Sequence, residues 1–231
     1  MIRAASRFAF PLTLAACAAS PSAPAAAPLP ANPPPVAGLA PVAPQVELRD
    51  ASSAVVGGKT VTMDGVAEGL AWPALRAALD RKTGDRSPLT IAAPRDLPIS
   101  TVLRAAWSLR DADVRLQTPD AAGVTHVLEL RPKPDAPSPG CHLAVFVAPN
   151  GDLRIAAPGG PRSVPGPDAA SALARALVEE RNRCAIRWVA FGAEKNDAAW
   201  GSVFDVAWAV DRGKSAGEAR YVLGEPVHYS K

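Results

Sequence analysis

A nine-residue pattern occurs twice in this chain. Thr101-Val-Leu-Arg-Ala-Ala-Trp107-Ser-Leu109 aligns without a gap on Ser202-Val-Phe-Asp-Val-Ala-Trp208-Ala-Val210, with Val102 over Val203, Ala106 over Ala207 and Trp107 over Trp208. Each copy places apolar residues at i, i+1, i+4 and i+5, which is one buried stripe of a helix. The flanking elements follow the same order in both copies. Upstream stand extended runs broken by a turn pair, Lys59-Thr-Val-Thr-Met-Asp64-Gly65 and His142-Leu-Ala-Val-Phe-Val-Ala-Pro-Asn150-Gly151-Asp-Leu-Arg-Ile. Asp-Gly and Asn-Gly supply the positive φ of tight hairpins. Helical periods follow at Trp72, Leu75 and Leu79 and at Leu173, Leu177 and Val178, and then the short strands Leu89–Ala93 and Cys184–Ala190. Beyond the matched helices lie strands at Asp113–Thr118 and Ala219–Leu223, closed by Val124–Leu130 or Val227–Tyr229. The pattern predicts an α+β fold of two similar small ββαβαβ domains, each a mixed sheet with two helices on one face.

Proline sets the domain limits. Residues 18–45 hold 10 Ala and 9 Pro and no charge, a composition with nothing bulky to bury, so they predict a disordered, partly polyproline tether. A second break, Arg131-Pro-Lys-Pro-Asp-Ala-Pro-Ser-Pro-Gly140, separates the copies. The domains expected are therefore 46–131 and 141–231, with 132–140 as linker.

The N-terminus carries an address. Arg3 and Arg7 precede the apolar run Phe8–Ala16, the layout of a signal peptide over 1–16, and nine residues are too few to span a bilayer. Leu14-Ala15-Ala16-Cys17 resembles the lipobox of bacterial lipoproteins, which implies diacylglycerol on Cys17 and cleavage before it. Lipid then replaces a spanning helix as the anchor, since each buried CH₂ contributes about 0.8 kcal/mol. The expectation is a membrane-anchored lipoprotein facing the periplasm. Ala18 after the modified Cys favours the outer over the inner membrane.

Charge excludes one class of partner. Against 22 Asp plus Glu stand 25 Lys plus Arg, and loss of Arg3 and Arg7 leaves a balance near neutral, without the basic stripe a nucleic-acid binder needs.

The first copy resembles the periplasmic domain of the biopolymer-transport ExbD/TolR family. The residues that carry this are Val61-Thr-Met-Asp-Gly65, Leu75-Arg-Ala-Ala-Leu79, Leu89-Thr-Ile-Ala-Ala93, Val102-Leu-Arg-Ala-Ala-Trp107 and Val114-Arg-Leu-Gln-Thr118. The resemblance covers about 75 residues and extends more faintly to the second copy. It implies a periplasmic domain that binds partners or cell wall, as an accessory to a biopolymer-transport system. Two departures stand out: the family's transmembrane helix with its buried Asp is replaced by lipobox and tether, and the Asp expected after the strand is replaced by Pro94-Arg95, with Asp96 displaced.

A search for chemistry returns little. Gly58-Lys59-Thr60 ends like a phosphate loop, but Ser53 stands where its first Gly belongs and an extended run follows instead of a helix. His126, His142 and His228 are scattered over strand candidates, without the close pairs of a metal site. No Gly-x-Ser-x-Gly elbow exists, and Ser100 reads as a helix N-cap. With Cys17 assigned to lipid, Cys141 and Cys184 form an even pair in an exported domain and are expected to make a structural disulfide. Trp107, Trp208 and Trp188 are assigned to the core, while Trp72 and Trp200 open helices and are expected to be partly exposed. The expected function is that of a non-enzymatic envelope lipoprotein that binds an envelope protein or peptidoglycan, needing no cofactor or metal. The alternative is an envelope hydrolase, whose nearest acid or base candidates, Glu194 and Asp197, read more simply as loop and cap residues.

Overall fold

The computed structural model describes residues 39–63, 72–80, 87–109, 111–130, 141–158, 160–165, 169–213 and 219–224. The signal peptide, Cys17, most of the tether, the Asp64-Gly65 pair, the 131–140 break and His228 lie outside them. Chain contacts divide the protein into Met1–Pro34 and Pro35–Lys231, and all described residues belong to the second unit.

The fold is α+β, with two mixed sheets of six and five strands and four helices. The first piece supplies β1 (Val46–Asp50), β2 (Ser53–Val56), β3 (Lys59–Thr62), α1 (Pro73–Ala78), β4 (Leu89–Ala92), α2 (Ile99–Ser108), β5 (Val114–Pro119) and β6 (Thr125–Leu130). The second supplies β7 (Cys141–Val147), β8 (Leu153–Ala156), β9 (Arg162–Val164), α3 (Ala169–Arg183), β10 (Ile186–Ala193), α4 (Trp200–Gly213) and β11 (Arg220–Leu223). The sheet orders are β3-β2-β1-β4-β5-β6 and β9-β8-β7-β10-β11. In each, a parallel trio (β1-β4-β5 or β7-β10-β11) is extended on one side by two antiparallel strands.

Each piece thus opens with three strands, not the two that the sequence pattern suggested. Val46-Glu-Leu-Arg-Asp lies within the expected 46–131 limits and buries Val46 and Leu48 with the period of a strand, but it abuts the proline tract and precedes the extended run from Lys59 that carries the strand pattern. Its hairpin closes where the Asp50 carboxylate accepts the Ser52 N–H at 2.8 Å and the Ser53 hydroxyl at 2.5 Å. Gly57 and Gly58, at φ +54° and +78°, then turn β2 into β3, a backbone region that side chains with a Cβ rarely occupy. In the second piece Gly151 (φ +83°) closes the β7–β8 hairpin at the expected Asn150-Gly151 turn. β9 is three residues long, too short to register as a strand by periodicity.

The tether's last residues join the first sheet. Gln45 N–H donates to the Thr90 carbonyl at 2.9 Å, its side-chain oxygen accepts the Thr90 N–H at 2.6 Å, and Gln117 Nε2 donates to the Val42 carbonyl at 2.7 Å.

One buried cluster runs through both pieces, from Val46, Leu48, Ile91 and Leu116 to Val145, Phe191, Trp200 and Phe204. The tryptophans sort differently from expectation. Trp72 and Trp200 are 1% and 0% exposed, whereas Trp107 is 40% exposed. The stripe on α2 is Ile99, Val102, Leu103 and Ala105, so Trp107 lies beyond its edge. Trp72 packs before Pro73 with its N–H on Ser108 Oγ at 2.5 Å, which ties α1 to α2.

Candidate functional site

The end of the first sheet meets α4 along a seam, and the seam gathers polar side chains from distant parts of the chain. Sheet one contributes Arg95, which follows β4, Thr118 and Pro119 from β5, Asp120 from the β5–β6 turn, and His126 from β6. The second half of the chain contributes Trp200, Gly201, Asp205 and Trp208, all on α4.

Arg95 and Asp205 form a fork, Nη1 to Oδ1 at 2.7 Å and Nη2 to Oδ2 at 2.5 Å. Arg95 Nη1 also donates to the Pro119 carbonyl at 3.2 Å. A bidentate guanidinium–carboxylate pair fixes orientation as well as distance, and the Asp205 hydrogen bonds hold the Arg95 proton above its already high value. Deeper in, Trp200 Nε1 donates to Thr118 Oγ1 at 2.8 Å, and both residues are fully buried. That bond occupies one lone pair of the Thr118 hydroxyl. At the rim, His126 Nε2 lies 2.9 Å from Asp120 Oδ2, and its ring stacks on Trp208 with centroids 4.7 Å apart. Trp208 continues the stack toward Phe204 at 6.4 Å and carries Arg212 over its ring at 6.0 Å.

Asp120 is held below the ordinary carboxylate range, first by the His126 hydrogen bond and then by the backbone N–H groups of Val124 and Ala122. The sign follows: a group with a lowered folded pKa adds stability above its unfolded value of 3.8 and loses it as pH falls through the folded value. The melting temperature of the native protein should therefore exceed that of Asp120→Asn at neutral pH, and the gap should close below pH 3.8. A gap that widens in acid contradicts this assignment.

A second charged cluster ties α3 to the edge of sheet two. Glu180 is 1% exposed, and its Oε1 accepts Arg162 Nη2 at 3.0 Å and Arg183 Nη1 at 2.9 Å. Both arginines reach water and can rehydrate, so Glu180→Ala should cost about 1–3 kcal/mol in urea titrations, and Glu180→Gln less.

The residues singled out from the sequence are dispersed. Cys141 and Cys184 do come together, with Cα atoms 6.0 Å apart, a separation compatible with a disulfide. His142 is exposed on β7. Glu194 pairs with Arg154 at 3.3 Å, and Asp197 is exposed in the loop before α4. Gly58 is a turn residue, and Lys59 and Thr60 continue as β3. Ser100 lies inside α2, whose N-cap is Pro98, and its N–H crosses the seam instead. Among the described residues no three His, Cys, Asp or Glu side chains cluster as metal ligands, and no described helix is long and apolar enough to cross a membrane. The Arg95–Asp205 fork went unread in the sequence, although the unusual Pro94-Arg95 was its visible half.

No protein-family profile, curated protein or solved structure matches this chain.

Proposed function

We propose that this protein is a non-enzymatic, lipid-anchored envelope protein whose two ExbD/TolR-like units bind an extended segment of a protein partner by strand addition. The observation that carries the reading is the pair of outer strands, β3 and β9, which end the two sheets and have no further strand beside them among the described residues. Lys59, Thr60 and Thr62 on β3 and Ser163 on β9 are exposed. An unpaired edge recognises a partner through backbone amides and carbonyls and needs no signature side chain. The lipobox at Cys17 and the uncharged tether support the location: if extended at about 3.1 Å per residue, the stretch before the docked Val42 would reach roughly 75 Å from a periplasmic membrane surface.

The test is photo-crosslinking in cells with the full-length protein carrying a photoreactive residue at Thr60 or Ser163, together with co-sedimentation with peptidoglycan. Protein adducts at either edge support strand addition. Sedimentation with wall and no adduct moves the reading to peptidoglycan, and the absence of both adduct and sedimentation overturns partner binding. A Cys17→Ala variant that still fractionates with membranes removes the lipid anchor.

The Cys141–Cys184 bridge belongs to the same reading, because an exported domain is oxidised. It would join the start of β7 to the residue after α3 across 43 positions, and the chain-entropy contribution for such a loop is about 4 kcal/mol. Denatured protein purified without reductant should show no thiol from this pair. Two titrating thiols would refute the bridge.

A further inference from the structure

The seam has a symmetry that the sheets alone do not require. Pro98 and Ala199 form an antiparallel bridge. Around it, Ile99 N–H donates to the Ala198 carbonyl at 2.8 Å and Trp200 N–H to the Leu97 carbonyl at 2.7 Å. Outside these, Ser100 N–H donates to the Asn196 carbonyl at 3.1 Å and Gly201 N–H to the Arg95 carbonyl at 2.8 Å. A shift of 101 positions turns each bond into its mate, and the same shift relates Thr101–Leu109 to Ser202–Val210. A bond set that maps onto itself when the two units exchange places is an isologous, two-fold contact.

We infer that each unit carries a self-complementary pairing face, residues 95–104 in the first and 196–205 in the second, whose natural partner is another copy of such a unit, and that this chain supplies both copies itself. The side chains select the pairing. Asp205 accepts the Arg95 fork, but the position matching Asp205 in the first unit is Arg104, and the one matching Arg95 in the second is Asn196. Two first units joined through this face would set Arg95 against Arg104 twice. Two second units would set Asn196 against Asp205 twice and gain no ion pair. Only the mixed pair contains an attraction and no like charges, which is specificity by repulsion of the wrong partner as much as by attraction of the right one.

Shape reinforces charge. A Cβ on Gly201 would lie 2.9 Å from the Arg95 Cβ, a contact that only glycine avoids. The matching residue of the first unit is Ser100, so a first-unit pair would force that contact on both sides. In the chain as it stands Ser100 faces Asn196 instead, and its bond is the longer of the two at 3.1 Å.

The test places a specific protease site within 131–140 of the full-length protein, cleaves the folded chain and weighs the products by native mass spectrometry after dilution and re-concentration. The native sequence should give a one-to-one complex of its halves and no first-half dimer. The Ser100→Gly/Arg104→Asp double variant removes both obstacles and should yield first-half dimers. Asp205→Arg should weaken the one-to-one complex by about tenfold or more, and adding Arg95→Asp should restore it, a rescue that a merely structural position would not show. Halves that separate in the native sequence, a double variant without first-half dimers, or a charge swap without rescue would each overturn the inference. If the double variant fails to fold, as read by circular dichroism, the charge-swap series decides alone.

Discussion

Replacing Trp200 by alanine is expected to lower the stability of this protein by about 3–5 kcal/mol, the range for a large aromatic lost from a packed interior. The side chain is fully buried, meets the Phe204 ring edge-on with centroids 5.7 Å apart, and donates to Thr118 across the seam at 2.8 Å. Alanine leaves a cavity between the sheets and an unpaired buried hydroxyl on Thr118, and both add to the lost transfer energy. Trp200→Phe retains most of the volume but leaves the same Thr118 hydroxyl unpaired, and should lose about 1–3 kcal/mol. Trp107 provides the internal comparison. It occupies the seventh position of the repeated pattern, yet it is 40% exposed, and Trp107→Ala should cost under about 1 kcal/mol. Urea titrations of the three variants order them; equal losses at Trp200 and Trp107 would contradict the burial pattern.

Gly192→Ala should be at least as damaging, by about 3 kcal/mol or more. Gly192 lies on β10, an interior strand of sheet two between β7 and β11, in register with Phe146 on β7. A Cβ there would meet the Gly224 carbonyl oxygen at 2.5 Å and Phe146 Cε1 at 2.9 Å. The ring can turn aside, but the carbonyl is backbone, and Gly224 is itself held by its N–H on the Phe191 carbonyl at 2.9 Å. Relief therefore requires separating β10 from the chain that follows β11. Trimming the ring with Phe146→Leu in the Gly192→Ala background should recover only part of the loss. Full recovery would show that the ring, and not the carbonyl, is the obstacle. Neither glycine nor carbonyl announces this contact in the sequence, because it depends on how closely two strands approach.

Much of the architecture was legible beforehand for a local reason. Leu89–Ala92, Val114–Pro119 and Thr125–Leu130 are strands, and Ile99–Ser108 and Trp200–Gly213 are helices, where the apolar periods place them. Such periods are written within five to ten consecutive residues and survive any arrangement of neighbours. The Asn150-Gly151 turn and the approach of Cys141 to Cys184 belong to the same kind of inference, one from turn chemistry and the other from the scarcity of cysteine. Strands β1 and β2, which precede the run from Lys59, were hidden because β1 abuts the proline tract and each spans only four or five residues; β9 spans three, too few for a period to show.

The seam was of a different kind. A tryptophan at the start of a helix reads the same whether water or another sheet lies opposite, and what lies opposite Trp200 is Thr118, 82 residues away. Arg95 and Asp205 are 110 residues apart, and each alone is an ordinary surface charge. The repeat in the sequence suggested two like units, and the structure has two mixed sheets, of six and five strands. That they face each other through matched backbone bonds around Pro98 and Ala199, with one fork of charge to tell them apart, is a property of three-dimensional pairing, because hydrogen-bond partners and charge neighbours are set by which surfaces meet and not by the order of residues along either one.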